Sequence, residues 1–176
     1  VAMHMMRGHV LAHVLAEMQG AGVKPLVIKG EQIAHTHYAS PELRVRADTD
    51  LFISVNDLLP VQDVLQSLGF ELTRPRYKSH QFTATKPLHA DIELHLDIHW
   101  RISNEPEYAR LLSYDECLSR GVTFELSGIT MQGLHPIHAL LLTCVHSWLQ
   151  VGDQAERLIW IYDIHLLFSA LDSDER

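Results

Sequence analysis

Asp48 and Asp50, separated only by Thr49, sit in a short apolar stretch downstream of Lys29-Gly30. A strand sends side chains i and i+2 to one face, so both carboxylates would project together. A third carboxylate, Asp97, falls in a later segment of strict alternation. Three carboxylates brought from two strands make a cage of hard oxygens suited to Mg²⁺ or Mn²⁺. With a glycine turn nearby, such a cage suits phosphoryl or nucleotidyl transfer assisted by two metal ions.

The elements around these residues must hold them still. Val10, Leu11, Val14, Leu15 and Met18 form a helical stripe between about Met5 and Gln19, ended by Gly20 and Gly22. Pro25 then leads into a strand, Leu26-Val27-Ile28, which Lys29-Gly30 closes, and a short helix is expected over Glu31–Tyr38. Asp48 to Val55 reads as a strand with Asp48, Asp50 and Phe52 on one face and Leu51, Ile53 and Val55 on the buried face. A helix capped by Asn56 or Asp57 runs to Leu68, with Gly69 as its stop. Short strands follow at Phe70–Thr73 and His80–Thr85.

Ile92 to Trp100 alternates cleanly. Ile92, Leu94, Leu96, Ile98 and Trp100 take one face; Glu93, His95, Asp97 and His99 take the other. A solvated sheet face and a metal cleft both fit that pattern. Beyond it we expect a helix over Glu105–Leu112, a turn of helix near Cys117, and a hairpin of Val122–Leu126 and Ile129–Gln132 joined at Ser127-Gly128. Two long helices close the chain, Pro136–Gln150 and Glu156–Leu171, divided at Gly152-Asp153. The reading is an α+β core over residues 1–133 with a helical segment over 134–176.

Composition narrows the function classes. With 176 residues, 47% of them hydrophobic and 20% charged, the chain suits one globular unit with a sizeable core. A formal net charge of −8 argues against a broad surface for DNA or RNA. Arg44 with Arg46, and Arg74, Arg76 and Lys78, are the dense basic stretches. Cys117 and Cys144 make neither a disulfide framework nor a C-x-x-C motif and suit a reducing compartment. No apolar run reaches the roughly 18 residues of a membrane helix, and the start lacks a secretory signal pattern, so a cytoplasmic location is expected. The chain begins with Val1 and ends just after an apolar helix, as a fragment would. Thirteen histidines, paired locally at His35/His37, His95/His99 and His135/His138, invite a zinc reading, but no H-E-x-x-H or Cys/His ligand set supports one.

Lys29-Gly30, Tyr38, Pro41, Arg44, Asp48-Thr49-Asp50-Leu51, Leu68-Gly69-Phe70 and Asp97-Ile98-His99-Trp100-Arg101 occur in that order. In this order they resemble a group of uncharacterised bacterial nucleotidyltransferases within the DNA polymerase β superfamily. The resemblance continues to His146 and Asp163 in the last helices and covers nearly the whole chain. It implies a nucleotidyltransferase-type mixed β-sheet flanked by helices, with a C-terminal helical pair. It also implies a metal-dependent enzyme that moves a nucleoside monophosphate from an NTP to an acceptor hydroxyl. By the same resemblance Asp48 and Asp50 hold the metal ions, Asp97 completes the site, and Lys29, Gly30 and Arg44 face the phosphates.

Several residues keep rival readings. Glu31 follows Gly30 where the superfamily usually has Ser or Gly, and a carboxylate there repels a triphosphate unless it points away. Glu93 shares the face of Asp97, but Asp97 alone precedes His-Trp. Arg44 could instead brace the Asp48 strand, and His99 and Trp100 could be wall and core residues. His146 and Asp163 are expected to approach one another across the last helix pair, as a packing pair or beside the acceptor. Alternative functions are a catalytically silent binding or antitoxin-like module and a metal-dependent phosphohydrolase.

Overall fold

A computed structural model of the chain describes residues 2–75, 79–89, 92–149 and 158–172. The expected break at Gly152-Asp153 and the basic residues Arg76 and Lys78 lie outside them. Among the described residues, seven strands form one mixed sheet: β1 (Leu26–Ile28), β2 (Thr49–Phe52), β3 (Glu71–Leu72), β4 (Gln81–His89), β5 (Ile92–His99), β6 (Val122–Leu126) and β7 (Ile129–Gly133). Their order across the sheet is β3-β4-β5-β2-β1-β7-β6. β2 runs parallel to β5 and β1 parallel to β7, while the remaining neighbours are antiparallel. Among the described residues, six α-helices accompany it: α1 (Ala2–Gly20), α2 (Lys29–Thr36), α3 (Leu58–Ser67), α4 (Tyr114–Arg120), α5 (Pro136–Leu149) and α6 (Leu158–Ala170). None of the described helices is long and apolar enough to cross a membrane.

Both faces of the central strands are covered. Leu11, Val14, Leu15 and Met18 of α1 join Val61 and Leu65 of α3 against Val27, Leu51, Leu96 and Ile98. On the other face, Leu26, Ile28 and Phe52 pack with Ile33 of α2, Leu142 of α5 and Leu167 of α6. Burial on two sides explains why β1 and β2 are apolar without a clean period of two. It also corrects the expected faces of β2: Phe52 is as buried as Leu51, and Val55 is exposed in a 3₁₀ turn, Val55–Asp57. β5 keeps its alternation, since Leu94, Leu96 and Ile98 enter the first core.

Helix ends follow local rules. After α1, Gly22 takes φ +83° while the N–H of Val23 bonds to Met18 O and that of Gly22 to Gln19 O. Gly69 (φ +81°) closes α3 with the same pair of bonds, and both are the Schellman arrangement that glycine favours. Asp57 occupies the N-cap position of α3 without a side-chain cap bond, while Ser54 caps the preceding 3₁₀ turn by accepting from Asn56 N. Ser127 and Gly128, both at positive φ, make the expected hairpin turn.

Residues 105–112 form turns, not the expected helix. One i→i−4 bond, Ala109 N to Glu105 O, is flanked by three-residue turns, so no second helical turn propagates from that nucleus. α4 is longer than the single turn expected, because Ser113 caps it by accepting from Glu116 N.

Candidate active site

Pairing register brings the chemistry together. β1 and β2 place Ile28 opposite Asp50, so the next residue, Lys29, emerges beside that carboxylate. Parallel pairing of β2 with β5 sets Asp50 against Asp97. Antiparallel pairing with β4 sets Thr83 opposite Asp97, where the Thr83 hydroxyl donates to Asp97 Oδ1 at 2.7 Å. Asp50 Oδ1 accepts from Lys29 Nζ at 2.6 Å and is 2.8 Å from His99 Nε2. Ligand atoms of Asp50, Asp97 and His99 all lie within 4.8 Å of one another.

Asp48 stands one step outside β2, exposed at the mouth of the same cleft, which encloses about 670 Å³. It lies within electrostatic reach of Asp50 and Asp97, while His99 takes its place in the close-set group. The two aspartates are shifted in opposite directions. Partial desolvation, then the Asp50 and Asp97 charges, push the Asp48 carboxyl above its ordinary range despite Lys29. Burial would also raise Asp50, but the Lys29 ammonium and His99 outweigh it and hold Asp50 below the ordinary range. The sequence leaves His99 open as a wall residue or, on the face of Glu93, His95 and Asp97, as part of a metal cleft.

Lys29 opens α2 with φ +53°, a left-handed conformation disfavoured for a residue with a Cβ. Gly30 follows it in the first turn, where an added Cβ would meet Arg44 Nη2 at 3.2 Å. Glycine at 30 leaves room for this close approach and takes no unusual backbone angle. Glu31 points away from the cleft. Its buried carboxylate accepts from Arg46 at 2.8 Å and Thr49 at 3.2 Å and lies 3.2 Å from His35 Nε2, so it does not face a ligand at Gly30. Arg7 holds the segment before Asp48 by donating to the carbonyls of Arg46 and Ala47.

α5 and α6 wall the cleft through Leu142, Thr143, His146, Leu149, Trp160 and Asp163. The expected His146–Asp163 pair is replaced by another. Arg44 donates to both Asp163 oxygens through Nε and to Oδ2 through Nη2 at 2.8 Å, and the Tyr38 hydroxyl donates to Oδ1 at 2.8 Å. A planar guanidinium satisfies a buried carboxylate better than one imidazole nitrogen can. His146 instead packs edge-on against Trp160, with ring centroids 5.0 Å apart. Burial, with Lys29 nearby, pushes its pKa down to about 4.

The fold is that of a nucleotidyltransferase. The chain belongs to a family described as uncharacterised nucleotidyltransferases, whose profile matches residues 5–176. Among solved structures it is similar to ANT(2")-Ia in complex with adenylyl-2"-tobramycin, at 14% identity and a TM-score of 0.67, covering 96% of this chain and 91% of that one. The lincosamide antibiotic adenylyltransferase LnuA, lincomycin-bound, gives 14% and 0.57, with 92% and 96% covered. An antigenic nucleotidyltransferase-like protein from Paracoccidioides brasiliensis gives 15% and 0.61, with 93% and 75% covered. At such identities the likeness establishes the fold. No curated protein matches the chain.

Proposed function

We propose that this chain is a metal-dependent transferase moving a nucleoside monophosphate from an NTP to a hydroxyl on a small-molecule or protein acceptor. The observation that carries the reading is the juxtaposition of Asp50 and Asp97 in register on parallel strands, with Asp48 at the mouth of the same cleft. The donor set fits Mg²⁺ or Mn²⁺, since hard carboxylate oxygens converge and Asp48 is held above its ordinary range partly by its like-charged neighbours. Asp48, Asp50 and Asp97 would be the ligands, with His99 beside them, its Nε2 2.8 Å from Asp50 Oδ1. A divalent ion bound there supplies charge neutralisation at the phosphates and acidifies the acceptor hydroxyl.

This chain's own residues provide the rest. Lys29, Gly30 and the first N–H groups of α2 form the end suited to a triphosphate, and Arg44, packed beneath Gly30, adds positive potential there. In the reaction the acceptor oxygen bonds to the α-phosphorus as the bond to pyrophosphate breaks, and the hydroxyl proton is released. The α5–α6 wall, with His146 and Trp160, lies where an acceptor would rest. Its size suits a small molecule, in keeping with the antibiotic-bound structures of similar fold.

The test is transfer of α-labelled nucleotide, using each of the four common NTPs with Mn²⁺ and a panel of aminoglycosides, lincosamides and cell extract. Labelled product that disappears with EDTA and with Asp50→Asn supports the reading. Free NMP as the sole product would indicate water as acceptor. No NTP binding in any condition would make the chain a silent module.

A further inference from the structure

We propose that Lys29 is a hand-over residue: its ammonium holds Asp50 until a divalent ion takes that carboxylate, then moves to the triphosphate. This rests on the metal-dependent reading above and adds an order of events to it.

Three cations line the cleft among the described residues, and each is paired. Arg44 is fixed on Asp163 and Arg46 on Glu31, both buried and both with partners outside the close-set ligand group. Lys29 alone is paired with a member of that group. Its ammonium and His99 converge on a single oxygen, Asp50 Oδ1. A divalent ion on the same buried carboxylate would face the ammonium with little water to screen the repulsion. The ammonium must therefore yield as the ion enters.

The backbone indicates where it goes. Lys29 is held at φ +53°, and such strain in a residue with a Cβ persists only where its surroundings enforce it. That conformation puts the root of a flexible four-carbon stem at the start of α2, where the helix N–H groups favour anions. A swing of the stem alone would carry the charge from Asp50 to a phosphate at Gly30. Arg44 and Arg46 have no comparable release, because nothing displaces them from Asp163 and Glu31.

The test uses the whole chain after EDTA treatment and two calorimetric titrations, Mn²⁺ alone and then tripolyphosphate at saturating Mn²⁺. Lys29→Met is expected to bind Mn²⁺ about tenfold more tightly and tripolyphosphate about tenfold more weakly than the wild type. A purely structural lysine would not move the two affinities in opposite directions. Should Lys29→Met not fold, Lys29→Gln serves the same purpose. Unchanged or weaker Mn²⁺ binding overturns the proposal, as does tighter Mn²⁺ binding with tripolyphosphate unaffected. Asp50→Asn separates the levels. If it binds Mn²⁺ like the wild type, the metal reading fails and takes this inference with it. If it loses Mn²⁺ while Lys29→Met matches the wild type, the hand-over alone fails.

Discussion

Asp48 and Asp50 differ by two positions in the chain and by a whole electrostatic environment. Asp50 is 7% exposed and has Lys29 and His99 on one oxygen, whereas Asp48 is raised by desolvation and two like charges. Replacing either with Asn should reduce transfer by about 100-fold or more, as loss of a metal ligand does. Their effects on stability in EDTA should diverge. Asp48→Asn removes repulsion and should leave the melting temperature unchanged or slightly higher. Asp50→Asn strips Lys29 of its counter-ion in a buried setting and should cost about 1–3 kcal/mol. The pH dependence carries the same signs. The contribution of Asp50 is full above the ordinary aspartate pKa and is lost as pH falls through its lower folded value. Asp48 does the opposite, and acidification toward its raised pKa relieves its repulsion. Thermal melts of both variants between pH 3 and pH 7 check this, and equal losses for the two would refute the distinction.

At the scale of elements, Arg44 and Tyr38 fasten the segment before β2 and the end of α2 to Asp163 on α6. Asp163→Asn should cost about 3–5 kcal/mol, because it leaves a buried guanidinium without its charge. Urea unfolding measures the loss, and a change under about 1 kcal/mol would show the bracket to be slack. His146, on α5, tests the proposed acceptor wall. With its folded pKa near 4 it is neutral at pH 7, and protonating it costs stability as pH falls below the ordinary histidine range toward that value. His146→Ala should flatten that part of the stability curve. If the ring also contacts acceptor, KM for acceptor should rise several-fold in a protein that still folds. Lost stability with unaltered KM would assign it to packing against Trp160.

Across the whole molecule, the cleft exists only because sheet and C-terminal helices share a core. Leu142 and Leu167 pack with Leu26, Ile28 and Phe52, and Gln32 ties α2 to the end of β7 through both amide groups on Leu134. Ligands that bind between these layers should stabilise all of them together. A saturating metal–NTP pair at 100 times its Kd should add about 2.7 kcal/mol, seen as a single shifted melting transition. A shift confined to one of two separate transitions would mean that the helices unfold independently of the sheet.

The sequence by itself determined most elements and singled out three carboxylates, Asp48, Asp50 and Asp97, that line one cleft. Hydrophobic period, glycine stops and the Ser127-Gly128 turn are local signals, so α1, α3, β5 and the hairpin were legible where they stand. Residues 105–112 misled, because one helical turn can begin from local preference while its continuation depends on what it packs against. Partner choice is not local at all. That Asp163 meets Arg44 rather than His146, and that Glu31 turns to Arg46 and away from Gly30, follow from distances between segments separated widely in the chain. The D-x-D spacing announced two carboxylates. Only parallel register with β5 gave Asp50 the Asp97 and His99 neighbours, and only the close of β1 gave it Lys29. Charges act through space, so the state of each aspartate was decided by tertiary structure and not by its position in the chain.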